Sequence, residues 1–368
     1  MTSVPMPGSD ARPLPAADLE HVLRRTSGIW DDFKGARFLV TGGTGFFGRW
    51  MMESFLRANE EFGLDAGVTV LTRDVRRAAA SAPHVHEHPA VTMLAGDLRS
   101  LSPRDVECTD VLHMAAETTY PPGGVPPGEA FTSAVLGTMR VLDLARACRV
   151  RRLLLTSSGA VYGQQPPGCR RIGEESRLAP PTDDPGSGYA QGKRAAEYLC
   201  ACAAGEWGLQ AKVARCFAFV GPLLALDANY AIGNFIRDAL GRPAITVQSD
   251  GTARRTYLYA GDLAVWLWHI LARGQSGRPY NVGSSSAVSV GDLAQTVATT
   301  LCPDKPVHVS LPAPAGVLPP RYVPDTRRAE EELGLEVSVT LEDGIERTAK
   351  WHGWSPPTSA GHSQPPTG

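Results

Sequence analysis

The sequence has no C-x-x-C pair, and its seven cysteines are scattered from Cys108 to Cys302. Cys200 and Cys202 sit two apart on a predicted helix and so face different ways. Neither a disulfide framework nor a cysteine-based metal site is implied, and the thiols are expected to be reduced packing residues. There is also no charge excess. Lys+Arg 36 against Asp+Glu 38 leaves a net charge of −2, with no basic surplus to drive nucleic-acid binding and no acidic tail. No run approaches the ~18 apolar residues that a membrane span needs. The N-terminal stretch MTSVPMPGSDARPLP has neither the basic block nor the apolar core of a signal peptide, and no period of about 20 to 50 residues repeats. These absences predict a soluble, cytoplasmic protein with no nucleic-acid or membrane partner. His84-Val85-His86-Glu87-His88 resembles a metal cluster, but it lies between Pro83 and Pro89 with no cysteine or matching carboxylate pair nearby. It reads as a solvated loop, and no metal is expected.

What is present is a series of short apolar runs. Arg37–Val40, Val68–Thr72, Val91–Ala95, Val111–Ala116 and Arg152–Thr156 are rich in β-branched and aliphatic residues and too short for helices. Helical patterns separate them, including Phe46–Leu56 and Ala134–Cys148, the latter with Val135, Val141, Leu142 and Ala145 on one face. Buried strands alternating with helices predict an α/β fold with a doubly wound, Rossmann-type parallel sheet. At 368 residues there is room for a further, smaller lobe. The expected division is an N-terminal extension over 1–35, a Rossmann-type domain over 36–220, a C-terminal lobe over 221–354 with 279–284 returning to the sheet, and a disordered tail over 355–368. Within the extension, residues 1 to about 15 are Pro- and Gly-rich and expected to be disordered. Asp18–Arg25 has helical spacing and leads to Ile29-Trp30, which would dock on the sheet edge.

The chain is organised around Ala36–Trp50, ARFLVTGGTGFFGRW. Gly42, Gly45 and Gly48 form G-x-x-G-x-x-G between a strand and a helix. That context binds a dinucleotide pyrophosphate. The first glycine allows a tight turn, the second lets backbone approach phosphate and the third lets helix pack on strand, while the helix N-terminus offers free N–H groups. Thr44, Phe46 and Phe47 belong to the same stretch. At the end of the second strand the sequence reads Thr72-Arg73-Asp74. A small residue followed by Arg leans towards the 2′-phosphate of NADP, whereas Asp74 could hold the ribose of NAD. After the third strand, Asp97 either accepts from the adenine amino group or caps the turn that follows.

Chemistry enters at Thr156–Lys193. Ser158 ends the fifth strand in TSSGAVYG, and Tyr189-Ala-Gln-Gly-Lys193 opens a helix. Spacing i, i+4 puts phenol and ammonium on one face. The ammonium stabilises the phenolate and lowers a pKa near 10. Tyr189 can then exchange a proton with a carbinol that also exchanges hydride with a nicotinamide, while Ser158 orients the oxygen.

Taken together, TGGTGFFG, HMAA at 113–116, TSSGAVYG, YAQGK and YNVGS at 280–284 resemble the extended short-chain dehydrogenase/reductase family, over about residues 36 to 350. Within it the chain is similar to the NAD-dependent epimerase/dehydratases that modify nucleotide sugars. The resemblance implies a catalytic triad of Ser158, Tyr189 and Lys193. It implies a cofactor, NAD or NADP, on Gly42, Gly45 and Gly48, with Asp97, Leu98, Ala115 and Ala116 along its adenosine and Tyr189 and Lys193 also in contact with it. It also implies a C-terminal lobe that binds the substrate's nucleoside diphosphate, and a homodimer. GTARRTYLYAGDLA fits the family's G-x-x-x-R-x-[FY]-x-Y-x-x-D and maps the diphosphate-binding arginine onto Arg255; Asp262 would cap the following helix, whose Trp266 and Trp268 read as core.

There are departures. Where the family reads R-x-F-N-x-x-G-P, this chain has Arg215-Cys216-Phe217-Ala218-Phe219-Val220-Gly221-Pro222, and the substrate-binding Asn is missing. Asn229 or Asn234 is the expected substitute, and Arg321 stands nearest to the family's C-terminal arginine. Sugar 4,6-dehydratases carry acidic residues just after the catalytic Ser/Thr, because eliminating water needs a base for one proton and an acid for the leaving hydroxyl. Here those positions are Gly159 and Ala160. Glu117, in HMAAETTY, is the carboxylate that could compensate at the substrate, or else a solvated loop residue. The expected activity is 4-epimerisation of a nucleotide sugar through a transient 4-keto intermediate. The alternatives are a 4,6-dehydratase, a 4-ketoreductase and, from another class, a non-catalytic dinucleotide-binding protein.

Overall fold

The computed structural model describes residues 11–102, 106–117, 124–228 and 230–356. The Rossmann strands are β1 (Arg37–Thr41), β2 (Gly67–Thr72), β3 (Val91–Ala95), β4 (Asp110–His113), β5 (Arg152–Ser158) and β6 (Gln210–Cys216). The smaller strands are β7 (Phe219–Val220), β8 (Ile245–Val247), β9 (Arg254–Arg255), β10 (Leu258–Tyr259), β12 (Val288–Ser289), β13 (Val307–Val309) and β14 (Arg321–Tyr322), and β11 (Pro279–Val282) returns to the main sheet. The helices are α1 (Ala16–Thr26), α2 (Phe46–Phe62), α3 (Val75–Ser81), α4 (Pro83–His86), α5 (Pro127–Ala147), α6 (Gly188–Trp207), α7 (Ala231–Gly241), α8 (Ala260–Arg273), α9 (Val290–Leu301), α10 (Arg327–Leu333) and α11 (Leu341–Trp351).

The main sheet is a seven-stranded, doubly wound parallel sheet of order β11-β6-β5-β4-β1-β2-β3. The order turns back beside β1, between β2 and β4. Loops there diverge at the carboxyl ends of the strands and open a crevice. β4 stops at His113, three residues before the apolar run ends. Its pairing with β1 runs out there, and Met114–Ala116 peel away towards the glycine loop. The smaller lobe holds the three-stranded sheet β12-β9-β14 and the pair β13-β8 over a core of α7, α9 and α11 side chains.

Four expectations need correction. The N-terminal segment is ordered from residue 11: Leu14 is buried and its N–H donates to Glu53. α1 packs on α8 and α2, not along an edge strand, because Val22, Leu23 and the following Ile29 and Trp30 join the apolar core on that face of the sheet. α8 lies within the span expected for the substrate lobe, yet it packs on the main sheet. It is apolar nearly all round, with Trp266 and Trp268 fully buried in the core cluster on that face of the sheet. Finally, 83–86 is a helical turn, not a solvated loop, since Val85 is buried beneath it and His88 meets Glu60 at 3.2 Å. Among the described residues no three His, Cys, Asp or Glu side chains are arranged to hold a metal. Asn229, and residues 1–10 and 357–368 of the expected disordered ends, lie outside the described residues.

Candidate active site

The glycine loop joins β1 to α2. Gly42 has φ 74°, and a Cβ there would lie 2.6 Å from the Ala115 nitrogen. A Cβ on Gly48 would lie 2.2 Å from the Gly42 oxygen, so both positions are closed to any side chain by the loop itself. Gly45 is different: a Cβ would sit 3.5 Å from the nearest atom, an ordinary contact, and nothing in the protein forces glycine there. The N-terminus of α2 has no side-chain cap. A bare loop and uncapped N–H groups are what a pyrophosphate requires, so the residues fit a dinucleotide.

They face a cleft of about 610 Å³ lined by the loop residues Gly42, Thr44, Gly45 and Phe46. Arg73, Asp97, Leu98, Ala115, Ala116 and Glu117 also line it. This is within the usual range for a small-molecule site. Of the expected cofactor residues, Phe47, Gly48, Tyr189 and Lys193 do not line the cleft. Phe47 packs edge-on against Phe219, ring centroids 5.0 Å apart, and Gly48 serves the loop's own packing.

Sequence reading missed what holds the cleft's far wall. His113, buried at the end of β4, bonds Thr41 Oγ1 through Nδ1 at 2.8 Å and Thr138 Oγ1 through Nε2 at 3.2 Å. Ala115 N–H donates to the same Thr41 oxygen. Burial pushes the imidazole down to about 3, so it is neutral. Thr41 donates to Nδ1, and the Nε2 proton goes to Thr138, whose own hydroxyl donates to Ala134. The HMAA motif is therefore a strut that ties β1, β4 and α5 together.

Three carboxylates are already engaged. Asp74 caps α3 by accepting from the Arg77 N–H, and this removes the argument that it waits for a ribose. Asp97 accepts from the Arg99 backbone and side chain, which holds it at about 2, and so it follows the capping alternative. Glu117, expected as a spare acid or base at the substrate, instead pairs with Arg73 and accepts from Ser133; Ser158, Tyr189 and Lys193 do not line that cleft.

Ser158 stands at the carboxyl end of β5, and Tyr189 opens α6 at the same end of the sheet. Lys193, fully buried one turn along α6, donates through Nζ to the Thr156 carbonyl at 2.8 Å, two residues before Ser158. Its ammonium lies 6.0 Å from the centre of the Tyr189 ring. Burial lowers Lys193 to about 8, so it carries charge near neutral pH and loses it above. Ser158 Oγ accepts from the Ala160 N–H, leaving its own proton to donate.

Beneath them is a polar network absent from the sequence reading. Glu197, one turn beyond Lys193, accepts from Ser157 at 2.5 Å and from Arg215 at 2.6 Å. Arg215 also donates to the Tyr162 hydroxyl, and that hydroxyl donates to Asn281 on β11. α6 is thereby locked to β5, β6 and β11. The only sequence trace of this network is the polar residue inside each motif, as in VYG and YNVGS.

In the smaller lobe, Arg255 and Tyr322 pair across β9 and β14, and Arg254 pairs with Arg321. Successive strand residues alternate faces. Tyr322 reaches the active site, since a Cβ on Gly159 would lie 2.7 Å from its hydroxyl. Arg255 therefore shares the face turned towards Gly159, and Arg321 takes the opposite face, against its expected substrate role. Among the described residues none of Arg254, Arg255 and Arg321 has a carboxylate partner; Arg255 donates only to the Arg254 carbonyl. Asn234 lies on α7 with its oxygen taken by Arg237. Asp262 does not cap α8; it accepts from His21 and from the Ser338 and Val339 N–H groups, tying both ends of the chain together.

Residues 38–283 match the NAD dependent epimerase/dehydratase family. The chain belongs to this family. Among curated relatives, UDP-glucuronic acid decarboxylase 6 of Arabidopsis thaliana is 29% identical over 314 residues, 84% of this chain and 86% of that protein. Among solved structures, the dTDP-glucose 4,6-dehydratase DesIV of Streptomyces venezuelae with NAD and TYD bound superposes with a TM-score of 0.70 at 25% identity, covering 86% and 96% of the two chains. MoeE5 in complex with UDP-glucuronic acid and NAD gives a TM-score of 0.68 at 25% identity over 86% and 98%. The chain is an enzyme of the NAD-dependent epimerase/dehydratase family, in a branch whose relatives act on nucleotide sugars. No described helix is long and apolar enough to cross a membrane.

Proposed function

We propose that the protein is a nucleotide-sugar 4-epimerase. One observation carries the choice over the family's dehydratases: the strand end that bears Ser158 continues as Gly159-Ala160 and offers no group able to move a second proton. Position 159 is also shut. Phe217 and Tyr322, ring centroids 4.6 Å apart, both lie 2.7 Å from where a Cβ on Gly159 would stand. An acid cannot be accommodated there without moving two rings.

In this reading Tyr189 takes the proton of the sugar 4-hydroxyl and later returns it, and Lys193 keeps the phenol acidic enough to do so. Ser158 donates to the same oxygen and fixes its position. Arg255, which has no carboxylate partner among the described residues and shares the face turned towards Gly159, suits the diphosphate. The bound cofactor supplies a hydride acceptor that also returns hydride, so that the transient 4-keto sugar is reduced on its other face. The cofactor reading leans to NADP: Thr72 is not acidic, Arg73 extends over the cleft and Asp74 is engaged as a cap. Measured affinities of the wild-type protein for the two cofactors decide between them.

The test is incubation with a panel of nucleotide sugars, followed by mass spectrometry and determination of configuration at C4. The expected product is isobaric with its substrate and inverted at C4, with no build-up of reduced cofactor. In deuterated water the C4 hydrogen should stay undiluted. A product lighter by one water or by one carbon dioxide would overturn the assignment in favour of a dehydratase or a decarboxylase. A product two hydrogens heavier, formed only with added NADPH from a 4-keto sugar, would make it a ketoreductase.

We further infer a homodimer through α5 and α6. Phe131, Leu136 and Met139 on α5 and Tyr198 on α6 are exposed, although the two helices pack closely on each other. Such an apolar stripe on a helix pair suits a second copy of itself. Sedimentation at twice 39.2 kDa is expected; a monomer that persists at high concentration would remove the dimer.

A further inference from the structure

Arg73 and Glu117 come from loops on opposite sides of β1, the first following β2 and the second following β4. Their side chains meet across the cleft, Nη1 to Oε1 at 2.7 Å. The other carboxylate oxygen, Oε2, accepts from Ser133 on α5 at 2.5 Å. All three residues line the cleft. The two partners differ in freedom. The Arg73 side chain is 70% exposed and Glu117 only 23%, so the carboxylate is the fixed end and the guanidinium the movable one.

We infer that Glu117 is a selectivity residue for the cofactor: it holds Arg73 by an ion pair and competes with the 2′-phosphate of NADP for that guanidinium. This rests on the dinucleotide reading of the cleft. Without the phosphate, Arg73 has a partner at no further cost, which allows NAD to bind. With it, Arg73 must leave Glu117 for a doubly charged anion, and the stranded carboxylate then faces that anion. Both effects act against NADP and neither acts on NAD. An exposed ion pair is weak, so the barrier is one that a phosphate can overcome, and the expected result is a tempered preference, not exclusion.

The experiment is equilibrium titration of NAD and NADP into the wild-type protein, Glu117→Gln, Arg73→Ala and the double variant, read by fluorescence quenching or calorimetry. Gln keeps the shape and an acceptor for Ser133 while removing the charge. In Glu117→Gln the ratio of NADP to NAD affinity should rise roughly 5- to 30-fold, the range spanned by a weak ion pair released and a charged hydrogen bond gained. Arg73→Ala should weaken NADP and leave NAD little changed, and in the double variant the gain from Glu117→Gln should shrink to the part due to carboxylate–phosphate repulsion alone. Ser133→Ala, which loosens Glu117 without removing it, should shift the ratio the same way by less; it serves if Glu117→Gln does not fold. A ratio unchanged in Glu117→Gln, or a gain undiminished by loss of Arg73, would overturn the inference. Wild-type protein that binds neither cofactor would overturn the dinucleotide reading itself, a separate result.

Discussion

Replacing Tyr189 by Phe should lower turnover at least ~100-fold, the lower end of what a positioned acid–base group contributes. The ring remains, so α6 should still pack and cofactor affinity should survive. Lys193 makes the prediction sharper. Its ammonium lies 6.0 Å from the centre of the Tyr189 ring and is anchored on the Thr156 carbonyl, near enough for its charge to favour the phenolate. Because burial brings Lys193 to about 8, the wild-type enzyme should also lose the charge that supports its phenolate above that pH. Steady-state rates with any accepted nucleotide sugar, together with cofactor titration, check both parts. A Phe variant that turns over near the wild-type rate would remove Tyr189 from the chemistry, whatever the fate of the epimerase assignment.

Trp268→Ala should destabilise the protein by about 3–5 kcal/mol, the range for truncating a large buried aromatic. Trp268 is fully buried on α8, with its ring 4.8 Å from Trp30, 5.6 Å from Phe33 and 5.8 Å from Phe38 between centroids. Its indole N–H donates to Ser54 on α2 at 2.9 Å. One side chain thus joins the N-terminal segment, β1, α2 and α8. Removing it opens a cavity where four elements meet and deletes a buried hydrogen bond. Chemical denaturation with an unchanged slope is the measure. A loss below about 1 kcal/mol would show that the cluster collapses to fill the space. The same variant should make the N-terminal segment more open to proteases, because Trp30 and Phe33 lose their main partner.

The cluster also shows why the N-terminal segment resisted sequence reading. Asp18–Arg25 has an evident helical stripe, but a stripe says only that one face is buried, not against what. The partners, Trp268 and Tyr259, lie more than two hundred residues away. Arg347 closes the arrangement by meeting Asp18 at 2.6 Å. Pro- and Gly-rich composition suggested disorder up to about residue 15, yet Arg12 stacks 4.2 Å above the Trp351 ring and Leu14 donates to Glu53. Composition averages over a window, and two anchored side chains are enough to order it.

What the sequence determined by itself was whatever depends on neighbours close in the chain. Strand, glycine loop and helix follow one another within fifteen residues, and their chemistry is local: no side chain fits at Gly42 or Gly48, and the loop's N–H groups are left for phosphate. Tyr189 and Lys193 share a face because a helix repeats every 3.6 residues. The parallel sheet follows from apolar runs alternating with helical stripes. What only the tertiary structure decided was which side chains are free to act. Asp74, Asp97 and Glu117 are equally plausible ligands in one dimension. Folded, Asp74 caps α3, Asp97 is held by Arg99 and Glu117 spans the cleft to Arg73. Gly159 likewise reads as a missing acid in the sequence, and only the arrival of Phe217, just beyond β6, and Tyr322 from β14 shows that a side chain there would have to displace two rings. A motif fixes the identity of a group and its near neighbours. Whether its hydrogen-bonding capacity is already spent depends on residues brought in from elsewhere in the chain, and no local pattern encodes them.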